Sequence, residues 1–220
     1  MRIYLETASP EDARWAAESG LADGLLTHPA LLGPAGDADS REAIAALARA
    51  TSGTLGVSVE SLTTADIVRD GKELTRIADN VFVRVPFIED AVVAIRKLTA
   101  EGVRVMADLV FSPSQAVLAS KAGAFAVATP VSEIDAAGYP AIDAVRDIRL
   151  AFDAGRIECD VVALAPANAT QFAHCALARV DAVAVTPDVL RALLQHPLTD
   201  RGFDRFLSAL ARRPKARSQP

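Results

Sequence analysis

The sequence predicts a single-domain α/β protein, a (β/α)8 TIM barrel. Short, nearly continuously apolar runs rich in β-branched residues recur eight times along the chain. The segments between them carry helix caps and stops rather than hairpin turns. No Gly-x-Gly-x-x-Gly follows the first run, so the usual mark of an open dinucleotide-binding sheet is missing. Alternating units of this kind give a parallel sheet with right-handed crossovers, and eight of them without a long break favour closure. At 220 residues the barrel is compact, near the lower end of the usual size.

The elements follow in order. RIYLE (2–6) is the first strand. SPEDARWAAESG (9–20) then offers Ser9 as N-cap, Pro10 at the first helical position, acids in the first turn and Gly20 as a stop. GLLT (24–27) precedes a helix over 39–50, for which Asp39 or Ser40 is the expected cap. TLGVSVE (54–60) and NVFVRVP (80–86) are the third and fourth strands. A helix over 88–102 ends on Gly102, VRVMADLV (103–110) is the fifth strand, and the helix over 112–123 has a Ser-Pro start and a glycine stop. AFAVAT (124–129), DVVALAP (160–166) and DAVAVT (181–186) complete the strands, with helices expected near 140–154, 168–178, 187–195 and 200–212. The barrel domain spans 1–212, and the basic residues of 213–220 read as a solvated tail.

Composition excludes several classes of function. Hydrophobic residues make up 51% of the chain, ample for a large core. A net charge of −5 argues against a nucleic-acid face. Cys159 and Cys175 show no ligand spacing and read as packing residues in a reducing compartment. No stretch reaches the roughly 18 uninterrupted apolar residues of a membrane span, and MRIYLETASPEDAR turns acidic without the apolar core of a signal peptide. A soluble, cytoplasmic protein is expected, with a small-molecule substrate, no cofactor, and neither nucleic acid nor membrane as partner.

In such a barrel, function belongs at the C-terminal ends of the strands. Those ends read Glu6, Thr27-His28, Ser58 with Glu60, Arg84, Asp108, Thr129, Ala165 and Thr186. Arg84 stands inside the apolar run VFVRVPF (81–87), and a buried guanidinium is expensive unless a carboxylate or ligand meets it. Barrel geometry supplies plausible partners, because side chains from several strands converge on the axis.

YLETAS (4–9), GLLTHPALL (24–32), VFVRVPF (81–87), SEIDAAG (132–138) and VTPDVLRALLQHP (185–197) resemble landmarks of the transaldolase family. The similarity is greatest to its fructose-6-phosphate aldolase-like branch and extends over nearly the whole chain. The resemblance implies the barrel fold, a homo-oligomer, and a place for each site residue. Glu6 stands where relatives carry aspartate, and His28 where they carry the asparagine of a TTNPS motif. Arg84 stands in RVP where they carry the Schiff-base lysine of KVP, Asp108 where they carry a threonine, and Glu133 where they carry a phosphate-binding arginine. This chain is expected to be a divergent member lacking that lysine.

The lysines make the same point by themselves. Lys72, Lys97 and Lys121 fall in helical segments and Lys215 in the tail, so none sits at a strand end. Arginine, always charged and delocalised, is no amine nucleophile. The resemblance implies that Arg84, His28, Glu6 and Asp108, which stand at the family's site positions, are the catalytic residues, and the expected enzyme uses them without an imine. Arg84 would bind a carboxylate or stabilise an oxyanion, and His28 with one carboxylate would act as general acid and base. Aldol or retro-aldol cleavage, enolisation or isomerisation, and elimination are the candidate reactions. Ser58, Glu60, Ser112, Glu133 and Asn168 are the candidate substrate contacts. Two other readings stand beside this one. Glu6, His28 and Asp108 suit a metal, although Arg84 would oppose it. Alternatively, Arg84 pairs with Glu6 and Asp108 in a structural network, and the protein is a non-catalytic binding or scaffold relative.

Overall fold

Eight strands pair in sequence order and close on themselves, β8 against β1, every pair parallel. The computed structural model describes residues 1–32 and 37–212. The first half comprises β1 (Arg2–Glu6), α1 (Pro10–Ser19), β2 (Gly24–Thr27), α2 (Pro29–Leu32), α3 (Asp37–Ala50), β3 (Thr54–Ser58), α4 (Thr64–Thr75), β4 (Val81–Pro86) and α5 (Glu89–Ala100). The second comprises β5 (Val105–Asp108), α6 (Pro113–Ala122), β6 (Ala126–Pro130), α7 (Val131–Ala136), α8 (Ala141–Gly155), β7 (Asp160–Leu164), α9 (Ala169–Leu177), β8 (Ala182–Val185), α10 (Pro187–Ala192) and α11 (Pro197–Ala211). The expected (β/α)8 barrel is the observed one.

Successive strand residues point to opposite faces, which sorts the core into two clusters. One parity, including Leu5, Leu25, Leu55, Val83, Val105, Val127, Val161 and Val183, packs outward against the helices. The other fills the barrel with Tyr4, Leu26, Phe82, Met106, Ala126, Ala128, Val162, Leu164, Ala182 and Ala184. Large side chains come from β1, β2, β4 and β5, and alanines from β6 and β8 leave room for them. Phe82 meets Tyr4 edge-on at 6.2 Å and Phe125 at 5.3 Å, and Arg104 lies 4.3 Å from the Phe125 ring centre. Gly56 on β3 is required by this plug, because a Cβ there would stand 2.5 Å from the Phe82 ring.

Several expected boundaries are corrected. β3 stops at Ser58 rather than residue 60, β5 covers only Val105–Asp108, and β7 stops at Leu164. The flanking residues share the strands' apolar composition but lie beyond the paired register. α3 begins at Asp37, so Ser40 lies inside the helix rather than at its cap. α11 begins at Pro197, with His196 Nδ1 accepting from the Leu198 amide. Lys72 is expected to fall in a helical segment, and α4 supplies it, but no bounds are expected for that helix. Its polar composition and internal Gly71 weaken the signal, yet Gly71 lets it approach α5, where a Cβ would meet Leu98 at 3.0 Å. The expected tail at 213–220 and the Asp39 side chain lie outside the described residues. No helix among the described residues is long and apolar enough to cross a membrane.

Cys159 and Cys175 are free and buried. Burial pushes the Cys159 thiol up to about 12, helped by Asp160 and Asp181, and the Cys175 thiol up to about 11. For an acid raised in the folded state, the stabilisation is complete below the unfolded value of roughly 8.5 and declines as pH climbs above it. Ellman's reagent at pH 8 is therefore expected to label neither cysteine in the native protein and both after unfolding. The urea midpoint should fall above about pH 9. Rapid labelling without denaturant would contradict the packing described.

Candidate functional site

The polar layer stands directly on the apolar plug. Two residues beyond Tyr4, Gly56, Phe82 and Met106 on the same inward parity come Glu6, Ser58, Arg84 and Asp108. Strand register therefore delivers four polar side chains to one level at the C-terminal end of the barrel. β3 and β4 pair Ser58 with Arg84, while β4 and β5 pair Pro86 with Asp108.

Arg84 is only 3% exposed. Its Nη2 lies 2.7 Å from Asp108 Oδ2, and its Nη1 lies 3.5 Å from Glu6 Oε1. Nη1 also donates to the Thr27 carbonyl oxygen at 3.4 Å, a contact that composition could not have indicated. His28 Nε2 stands 4.0 Å from Glu6 Oε1, so the four residues form a chain in the order His28, Glu6, Arg84, Asp108. Exposure is graded along it: His28 is 35% exposed, Glu6 13% and Asp108 9% by side chain. His28 is the end nearest solvent. Among the described residues five buried side-chain atoms have no hydrogen-bond partner: Arg84 Nε and Asp108 Oδ1 in this layer, and Thr27 Oγ1, Thr129 Oγ1 and Arg149 Nε outside it.

Leu109, immediately after Asp108, adopts φ 56°. A bulky side chain in the left-handed region is strained by about 1–2 kcal/mol. This backbone reversal turns the chain out of β5 just past the carboxylate. Leucine does not favour that conformation, so nothing in the sequence signals it. Ala165, just past β7, has φ 51° and likewise turns away from the mouth.

Of the candidate substrate contacts, Ser58 stands beside Arg84 on the neighbouring strand, and the others border other features. Ser58 and Glu60 border a cleft of about 460 Å3 between α3 and α4, with Arg41 and Arg69 among its other walls. Glu133 borders a separate groove of about 670 Å3, with Phe111, Ile134 and Tyr139. Ser112 and Asn168 are helix caps: Ser112 Oγ accepts from the Gln115 amide at 3.3 Å, and Asn168 Oδ1 accepts from the Gln171 amide at 3.0 Å. Thr129 shares the parity of Val127 and faces the helices.

For the metal reading, Arg84 occupies the contact positions between Glu6 and Asp108. Among the described residues no three His, Cys, Asp or Glu side chains converge to hold an ion. The described lysines lie on helices: Lys72 on α4 pairs with Glu101 at 2.7 Å, and Lys97 on α5 and Lys121 on α6 are exposed. Lys215 lies outside the described residues.

The family described as Transaldolase/Fructose-6-phosphate aldolase matches residues 4–217. A protein named "Probable transaldolase" from Hyphomonas neptunium is 33% identical over 208 residues, covering 94% of this chain and 96% of that relative. Another of the same name from Caulobacter sp. (strain K31) is 33% identical over 207 residues, with coverage of 94% and 95%. Among solved structures, the FabK (M276A) mutant from Thermotoga maritima aligns with a TM-score of 0.59 at 21% identity. That alignment covers 84% of this chain but only 60% of the longer FabK chain. A cube-shaped, highly porous protein cage, designed by fusing symmetric oligomeric domains, aligns with a TM-score of 0.62 at 14% identity over 95% of this chain and 78% of that one. At these identities the structural likeness concerns the barrel alone.

A double-mutant cycle tests the ion pair at the centre of the layer. Asp108→Ala and Arg84→Ala should each lower stability by roughly 3–5 kcal/mol, because each leaves a buried charge without its main partner. Together they should cost about 1–3 kcal/mol less than their sum in urea unfolding. Strict additivity would show that the two residues do not interact as described.

Proposed function

The chain belongs to the transaldolase/fructose-6-phosphate aldolase family, and on that premise we propose an aldolase- or transaldolase-like enzyme that works without a Schiff base. Its substrate is a small, sugar-derived carbonyl or carboxylate compound. The observation that carries this reading is the buried Arg84 with Asp108 and Glu6 at the strand ends, where the barrel places its chemistry.

Proton abstraction next to a carbonyl is the step this arrangement serves. The carbon–hydrogen bond breaks, the proton passes to a carboxylate, and the electron pair moves through the new carbon–carbon double bond onto the carbonyl oxygen. Protonating the carboxylate removes one negative charge from beside Arg84 as negative charge appears on that oxygen. Arg84 then stabilises the oxyanion more strongly than it stabilised the ground state, which is what accelerates a reaction. His28, the most exposed of the four and 4.0 Å from Glu6, passes protons between that carboxylate and solvent. Retro-aldol cleavage uses the same parts, with a hydroxyl proton leaving as the carbon–carbon bond breaks.

Assembly belongs to the same proposal. α11 buries none of its residues, and Leu198, Phe203, Phe206, Leu207 and Leu210 are exposed on it, which supports a homo-oligomer. Light scattering should give a mass above that of one chain, and Phe203→Glu with Phe206→Glu should reduce it. A wild-type monomer at micromolar concentration would contradict this.

The activity test is proton–deuterium exchange by NMR on a panel of small ketoses, aldoses and 2-oxo acids. Wild type should catalyse exchange on at least one compound, and Arg84→Ala should lose about 100-fold or more. Equal rates for both proteins would remove Arg84 from the chemistry, and no exchange at all would favour a binding or scaffold role. Borohydride added with a ketose should leave the intact mass unchanged. A reduced adduct would restore the lysine route.

A further inference from the structure

We infer that Gln115 is a positioning residue for Asp108: it holds the backbone reversal that leaves β5, and through it the carboxylate that grips Arg84. The catalytic consequence rests on the proposed function, whereas the structural part stands on the loop alone.

Among the described residues, four that are not glycine have a positive φ: Leu109, Arg156, Ala165 and Arg179. Arg156 and Arg179 follow the helices α8 and α9. Leu109 and Ala165 follow the strands β5 and β7 instead, and their two loops are built alike. Two residues on, the Phe111 amide donates to Gln115 Oε1 at 2.9 Å, and the Ala167 amide donates to Gln171 Oε1 at 2.6 Å. Next comes the helix cap, Ser112 or Asn168, which accepts from the amide of that same glutamine. Each glutamine therefore reaches back over the start of its helix to the amide ahead of the cap, a variant of the reciprocal capping box. Residues with a Cβ resist the left-handed region, so each reversal needs a contact that holds it. The glutamine supplies that contact.

The two loops differ in what precedes them. Ala165 follows the apolar Leu164, and Leu109 follows Asp108. Asp108 Oδ2 lies 2.7 Å from Arg84 Nη2, while its Oδ1 has no partner, so one oxygen alone holds the carboxylate. Its direction is then set by the backbone. Pro86 is the last register partner on β4, and the Phe87 amide donates to the Asp108 carbonyl oxygen at 2.9 Å. Beyond that point the Val110 amide donates to the Ala128 carbonyl oxygen and the Phe111 amide to Gln115. Without the glutamine acceptor the Phe111 amide loses that partner, Leu109 can relax out of its strained conformation, and the adjoining Asp108 shifts. A small displacement of a reacting group costs rate even when its contacts in the ground state survive.

The experiment compares three variants by nitrogen-15 NMR of the Arg84 guanidinium, whose internal rotation is slowed by its pairing with Asp108. Gln115→Met keeps the side-chain length and removes the acceptor, and rotation should become about tenfold faster or more as part of a charge-assisted hydrogen bond is lost. Gln115→Glu keeps an acceptor and should rotate as wild type does. Gln171→Met breaks the matching bond on β7 and should also leave the rotation unchanged, which separates positioning from a general loss of stability. In the deuterium-exchange assay Gln115→Met should lower kcat about tenfold with KM little changed, and Gln115→Glu should restore it. Unchanged rotation in Gln115→Met would overturn the inference, as would equal acceleration in Gln171→Met or failure of Gln115→Glu to restore the slow rotation. If wild type exchanges no compound of the panel, the proposed function fails, and the guanidinium rotation alone decides the role of Gln115.

Discussion

A guanidinium withdrawn from water has to be neutralised where it lies, and the mouth of this barrel is organised around that requirement at Arg84. Moving each ion into a protein interior costs several kcal/mol, which only close and well-oriented partners offset. Asp108 supplies the closer contact, Glu6 the second, and the Thr27 carbonyl a third. Each lies on a different strand from Arg84, so the ion network holds only if β1, β2, β4 and β5 keep their register. A one-residue slip would turn a charged side chain to the helix-facing core.

The network also depends on what lies beneath it. Tyr4, Phe82 and Met106 seal the barrel one layer down, while the alanines of β6 and β8 make the interior asymmetric. The charged side chains come from β1, β4 and β5, whereas Leu164 of β7 and Ala184 of β8 line the interior with apolar atoms. Water is excluded from below and admitted from above, where His28 reaches solvent. In such a site electrostatic interactions are stronger than at the surface. Stability alone does not require the charges, since well-packed apolar side chains of the same volume often serve as well or better. The persistence of two unpaired polar atoms there is a cost that a bound ligand would relieve.

Much of this was legible in the sequence, for identifiable reasons. Parallel strands covered on both faces are apolar throughout, so runs such as VFVRVPF announced both the fold and the anomaly of Arg84. Strand ends in a barrel converge, and the family resemblance singled out Glu6, His28, Arg84 and Asp108 among them before any distance was known. Other features left weaker marks. Serine and asparagine ahead of a helix read equally well as caps or contacts, and the hydrogen bonds of Ser112 and Asn168 show the cap. The bounds of α4, though not the helical setting of Lys72, were hidden because Gly71 lowers helix propensity in exchange for close packing on α5. The left-handed backbone at Leu109 is imposed by tertiary structure against local preference, so no residue pattern records it.

The most direct measurement is on a variant in which all three charges become apolar, Glu6→Leu, Arg84→Met and Asp108→Leu, followed for both urea stability and deuterium exchange. If the network serves the ligand rather than the fold, this variant stays folded with stability equal to or above that of wild type, and its exchange falls to the uncatalysed rate. A variant that unfolds, or one that folds and still catalyses exchange, would contradict the central role of Arg84 and its two carboxylates in ligand chemistry.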